Sequence, residues 1–255
     1  SWYRRIASNQ TDIFRQGTPK TNGLSCRCVR DTYDGPTGSG TSDDPYLIVS
    51  LVDLSWLSQN SSKWDKYYRQ TANIDATETQ YWDDADDDSD GNEYNDTNDE
   101  TSTGSNEGFL PIGTQQTRFT GTYDGDGYVI DGLTINRSST DYVGLFGRSN
   151  ESTIQNLGVT NVQIVGDHFV GGLLGMSNIS TMNNCYSTGS VTGESTVGGL
   201  VGNHEASTMN NCYSTSSVTS NDGGAGGLLG ANAASGELYN CYSAGSVTGA
   251  SVQNG

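Results

Sequence analysis

The sequence predicts an all-β protein, a parallel β-solenoid (β-helix) with coils of about 27–29 residues, preceded by a small α+β N-terminal cap and a strand-rich arm. Three observations carry this. The run Val143-Gly144-Leu145-Phe146-Gly147 returns in related form at 170–175, 197–202 and 225–230, with closing glycines at 147, 175, 202 and 230. Two further motifs keep step with it: Asn-Cys-Tyr-Ser from Asn184, Asn211 and Asn240, and Ser-Val-Thr from Ser190, Ser217 and Ser246. Finally, 34 of the 255 residues are glycine and only 32% are hydrophobic, too thin an apolar share for an ordinary α/β core. One repeat of short β-branched runs cannot bury its own apolar face, whereas stacked repeats can.

In chain order, residues 1–33 read as a basic arm too short to bury a core. Its first 30 residues hold Arg4, Arg5, Arg15, Lys20, Arg27 and Arg30 against the single acid Asp12. Residues 34–43, with Gly35-Pro36-Thr37-Gly38-Ser39-Gly40, read as a flexible linker. Residues 44–108 read as a cap: a strand, a short amphipathic helix near 52–59, a second helical turn around 63–69 and another strand, with an acidic insertion at 83–107. Such a cap would cover the open edge of the first coil. The solenoid is expected over 109–255, entered past Asp124-Gly125-Asp126-Gly127, a tight-turn sequence.

Coils stacked roughly 4.8 Å apart place equivalent side chains in columns. Asn184, Asn211 and Asn240 are therefore expected to form an internal amide ladder. Cys185, Cys212 and Cys241 are expected to be buried free thiols, because their parallel Cβ vectors disfavour bridging. Tyr186, Tyr213 and Tyr242 form either an outer stripe able to stack on sugar rings or a core column. Cys26 and Cys28 share one side of a strand, with their pairing open.

Charge narrows the function classes. Twelve basic residues against 30 acidic give a formal charge of −18, which repels phosphate backbones and argues against nucleic-acid binding. No apolar stretch approaches the length of a transmembrane helix. The chain opens at Ser1-Trp2-Tyr3 without a leader, which suggests processing or truncation. Within the insertion, Asp86, Asp88, Asp90 and Asn92 follow the D-x-D-x-D-G pattern of a calcium loop, in which alternate oxygens converge on a hard cation around a glycine turn. Position twelve of that loop is Thr97 rather than the bidentate glutamate, and the segment reads either as a weak Ca2+ site or as a solvated acidic loop. His168 and His204 are the only histidines. Neither lies in an H-E-x-x-H run, and no nucleophile-elbow or phosphate-loop motif accompanies them, so no enzyme is expected.

Residues 143–249, with V-G-G-L-[LV]-G followed by N-C-Y-S and S-V-T-G, resemble the GLUG repeats of bacterial surface proteins, adhesins and some large secreted peptidases. Residues 44–137, from Pro45-Tyr46-Leu47-Ile48 to Phe119-Thr120-Gly121, resemble the segment that commonly precedes such repeats; together the two cover roughly four-fifths of the chain. Residues 1–31, ending in Asn22-Gly23-Leu24-Ser25-Cys26-Arg27-Cys28-Val29-Arg30-Asp31, resemble the last strands of the Fibrobacter-type paralogous domain, although Leu24 and Cys26 depart from its usual ending. These resemblances imply a secreted structural protein at a cell surface. It would be an adhesin stalk or the subunit of an extracellular filament. Separately, an arm of about +5 against a remainder of about −23 leads to the expectation of head-to-tail assembly with copies of itself through Arg4, Arg5, Arg15, Arg27 and Arg30. The alternative is a solenoid that binds surface glycans or cleaves polysaccharides.

Overall fold

The computed structural model describes residues 2–5, 14–17, 33–82 and 106–252, with backbone alone at 2–5, 14–17 and 250–252. The backbone divides into two compact units, 1–35 and 36–255. In the first, Trp2–Arg5 pairs antiparallel with Phe14–Gly17, so that Arg4 lies opposite Arg15. Arg27, Arg30, Cys26, Cys28 and the candidate calcium ligands Asp86, Asp88, Asp90 and Asn92 lie outside the described residues.

The second unit is a parallel β-solenoid with three strand-bearing faces per coil. Face A stacks Tyr46–Ile48, Tyr67–Gln70, Thr122–Asp124, Thr153–Gln155, Thr181–Asn183, Thr208–Asn210 and Glu237–Tyr239 in parallel register. Face B is built on Gly158–Val165, Tyr186–Gly193 and Ser217–Gly226, flanked by shorter strands. Face C stacks Phe146–Asn150, Leu174–Asn178, Val201–Glu205 and Leu229–Ala233. Alternate side chains point inward, so Tyr68, Tyr123, Ile154, Met182 and Met209 form a buried column on face A. Ser187 and Ser214 are fully buried on face B. Ser187 Oγ donates to the Gly199 carbonyl at 2.5 Å and lies 3.1 Å from Ser214 Oγ, within hydrogen-bond distance. Small, internally bonded side chains let narrow coils close without a large apolar core.

The chain turns within and between faces through residues in the left-handed region. One bend, within face B, uses Tyr142, Phe169 and Thr196, a corner uses Glu151, Ile179 and Ala206, and a third turn uses Asn156, Asn184, Asn211 and Asn240, with φ between 45° and 61° throughout. Only the third is read by asparagine, the non-glycine residue that best tolerates this conformation.

Two boundaries differ from the sequence reading. Residues 36–43 are not a loose linker: the amides of Ser39, Gly40 and Thr41 converge on the Asp44 carbonyl, and Leu47 N donates to Thr37 O at 2.8 Å. Gly38 makes the turn possible at φ +112°, where a Cβ would lie 2.1 Å from the Pro45 carbonyl oxygen. The solenoid also begins well before residue 109, since Tyr46–Ile48, Tyr67–Gln70 and Ile74–Asp75 already join its ladders. The second expected helical turn is a 3-10 turn over Ser61–Lys63 followed by a strand, because Tyr67-Tyr68-Arg69-Gln70 alternates exposed and buried. The expected helix spans Leu51–Gln59. Ser50 and Asp53 form a capping box at its start, and Leu51, Leu54 and Leu57 enter the core cluster that also holds Ile48 and Tyr68.

Candidate functional site

The asparagine column is a ladder, but an external one. Asn184 Nδ2 donates to Asn156 Oδ1 at 2.8 Å, Asn211 Nδ2 to Asn184 Oδ1 at 3.2 Å and Asn240 Nδ2 to Asn211 Oδ1 at 3.2 Å. Asn184, Asn211 and Asn240 are all exposed, which corrects the internal placement. The reason is the corner: at positive φ the side chain leaves the coil outward, and the inward position falls to the following cysteine. The ladder also runs further than its motif, since Asn156 Nδ2 donates to Asp124 Oδ1 at 2.9 Å. Burial alone would raise the Asp124 carboxyl. The hydrogen bonds from Asn156, the Asp126 amide and Gln155, with Arg69 nearby, outweigh that and hold it below the usual carboxylate range.

Cys185 and Cys212 are buried free thiols, whereas Cys241 is only partly buried. Each thiol bonds the carbonyl two residues back, at 3.2 Å on Asn183, Asn210 and Tyr239. Burial pushes the Cys185 thiol well up. Cys241 lines a cavity of about 330 Å³ with Leu228, Leu229, Leu238 and Tyr242.

The tyrosine column faces outward. The rings of Tyr186 and Tyr213 lie 4.9 Å apart and 1° from parallel, and those of Tyr213 and Tyr242 lie 5.2 Å and 5°. Tyr186 leans over Gly158, where a Cβ would meet its ring at 2.4 Å. Ring faces inside the column are therefore spent on one another, and Tyr242 is the most open of the three.

A second constellation has no counterpart in the motifs. The register of 27 residues sets Tyr142 against Phe169, stacked at 5.0 Å and 4°, with the Arg148 guanidinium 5.1 Å from the Tyr142 centroid. It also sets Asp141 beside His168, whose Nδ1 lies 3.5 Å from Asp141 Oδ1 and 2.8 Å from Asp167 Oδ1. Asp141 and Asp167 contribute to the wall of a groove of about 450 Å³, which Pro111, Gln116, Arg137 and Tyr142 also line. The missed signal is Asp-Tyr at 141–142 followed one coil later by Asp-His-Phe at 167–169.

Buried deeper, Ser177 Oγ and His204 Nδ1 are 2.9 Å apart. Ser177 is 2% and His204 1% exposed, so this pair packs inside the coil.

Residues 193–219 match the family model described as the GLUG motif. The chain carries a GLUG repeat. That match spans the Val-Gly-Gly-Leu-Val-Gly run at 197–202, then Asn211-Cys212-Tyr213-Ser214 and Ser217-Val218-Thr219. Halomucin of Haloquadratum walsbyi is 34% identical over 193 residues, covering 72% of this chain and 2% of its own length. A protein of Evansella cellulosilytica, provisionally named a Gly-rich membrane protein, is 30% identical over 131 residues, covering 51% of this chain and 12% of its own. The chain thus spans only a small part of these curated relatives. The crystal structure of a candidate immunoglobulin A1 protease from Bacteroides ovatus superposes with a TM-score of 0.52 at 20% identity, covering 84% of this chain and 70% of that one, a likeness of fold. Among the described residues, no helix is long and apolar enough to cross a membrane.

Proposed function

We propose that this chain is a structural β-solenoid segment of a secreted or surface-displayed protein, an adhesin stalk or filament subunit that extends by stacking coil on coil. The observation that carries this reading is the coil at 229–252. It presents the same columns that join its neighbours coil to coil: Asn240, whose Nδ2 donates to Asn211 Oδ1, Tyr242 57% exposed, and Leu238 and Cys241 beside an open cavity. A surface of that pattern is complementary to another coil of the same repeat. The match to a short stretch of a far longer relative supports the role of a repeated segment.

In this reading the basic arm, a remnant strand pair, supplies the head-to-tail contact. Its net charge of about +5 over residues 1–30 meets a remainder of about −23, which favours association. A heterologous contact of this kind propagates as a fibre unless it closes a ring. The role includes no catalytic step. Electron microscopy and sedimentation of the intact chain test it. Rods or fibres are expected, lost on deleting residues 1–33 or on charge reversal at Arg4, Arg5 and Arg15. An intact chain that stays monomeric at high concentration, or a deletion variant that still polymerises, would overturn the assembly reading. A second reading, glycan binding, is favoured by the aromatic and carboxylate-lined groove at Tyr142. Binding on a glycan array that disappears in Tyr142→Ala would support it.

A further inference from the structure

We propose that Asp141, Asp167 and His168 form a binding site for a divalent first-row transition ion such as Zn2+. One imidazole nitrogen and two carboxylate oxygens lie within 4.8 Å of one another, and His168 Nδ1 is 2.8 Å from one oxygen and 3.5 Å from the other. Donors bound to one ion at about 2.0–2.2 Å stand about 3–3.5 Å apart at tetrahedral or octahedral angles, which the two nitrogen–oxygen distances bracket. The set carries two formal negative charges, which a divalent ion neutralises.

The coil register holds the donors in place. Asp167 N donates to Thr140 O and Tyr142 N donates to His168 O, each at 2.8 Å, locking the two donor-bearing segments one rung apart. Little ordering is then left for the ion to impose. The acid of the next coil, Glu194, is engaged by Asn221 Nδ2 at 2.9 Å and stands outside the set.

Donor chemistry selects the class of ion. Calcium and magnesium favour shells built from oxygen, whereas an imidazole with two carboxylates suits Zn2+, Mn2+, Co2+ or Ni2+. Three protein donors leave at least one coordination position open, the arrangement of exchangeable rather than closed structural sites. The adjoining groove of about 450 Å³, walled in part by Asp141 and Asp167, gives an oxygen-bearing ligand a route to that position.

Calorimetric titration of the full-length chain with ZnCl2 tests the site, with Co2+ absorption as a second readout. One ion is expected to be lost or weakened by at least about tenfold in His168→Ala, and likewise in Asp141→Asn. These side chains are 47–49% exposed, so neither change should disturb folding. Because His204 is buried, it cannot replace the imidazole. The triple change Asp86→Asn, Asp88→Asn, Asp90→Asn should leave this binding intact, separating it from any ion in the acidic insertion. Absence of Zn2+ uptake at millimolar metal, or uptake unaffected by His168→Ala, would overturn the proposal.

Discussion

Replacing Gly198 with alanine probes why the repeat spells Val-Gly-Gly-Leu. The φ of Gly198 is not in the left-handed region, so backbone freedom is not what the position requires. A Cβ there would lie 1.9 Å from the Val201 carbonyl oxygen and 2.5 Å from the Gly230 amide nitrogen, against a practical minimum of 3.0 Å. Relief therefore demands about 1 Å of movement. Both obstacles are backbone, Val201 being tied into the face C ladder and Gly230 belonging to the next coil. Overpacking that side chains can absorb costs about 1–3 kcal/mol. Here no rotamer offers relief, and we expect at least about 3 kcal/mol, a large part of the usual 5–15 kcal/mol total. Gly127→Ala is the control, because φ is +84° there but nothing lies within 4 Å of the added atom; about 1 kcal/mol is expected from backbone strain alone. Reversible urea denaturation of both variants measures the difference. Equal midpoints for the two variants would refute the close-approach explanation of the motif.

Other expectations follow from the same geometry. Asn211→Ala should cost about 1–2 kcal/mol through its left-handed φ and two ladder hydrogen bonds, while Asn211→Gly keeps the corner and should cost less, both read by urea denaturation. Ile179→Asn should stabilise by about 0.5–1 kcal/mol in a thermal melt, since Ile179 is 59% exposed at φ 47° and holds a strained β-branched side chain to no packing advantage. Burial holds the His204 imidazole below its ordinary value, outweighing the backbone contacts at Ser207 and Glu237. The unfolded chain takes up this proton below about pH 6.5 and the fold does not, so stability should be full above that pH and decline as pH falls toward the folded value. His204→Asn should flatten that part of the stability–pH curve. In a Cys26→Ser, Cys28→Ser background, a thiol reagent should label Cys241 first and Cys185 and Cys212 only on unfolding, a rate comparison by mass spectrometry. Chelation should lower the melting temperature and speed proteolysis within 83–100 if the D-x-D-x-D-G loop holds calcium; identical curves with and without millimolar Ca2+ would exclude it.

Much of the architecture was legible because a solenoid repeats its physics along the chain. Spacing in the sequence becomes register in the ladder: Asn184 and Asn211, Cys185 and Cys212, and Tyr186 and Tyr213 stand one coil apart because each pair is 27 residues apart. In the structure Ile164, Val191 and Val218 form one buried column in the same register. Which way a column points past a corner was not legible. A left-handed residue breaks the alternation of faces, so the asparagines turned outward and the tyrosines stacked on the surface. The solenoid's entry was hidden as well, because Tyr46–Ile48 and Tyr67–Gln70 belong to the stack by pairing with Thr122–Asp124 and not by resembling the repeat. Asp141 and His168 also stand 27 residues apart, but no shared motif marks them as a pair. Only the stacking of two coils, with backbone bonds fixing the rung between them, brings an aspartate pair and an imidazole to within ligand distance.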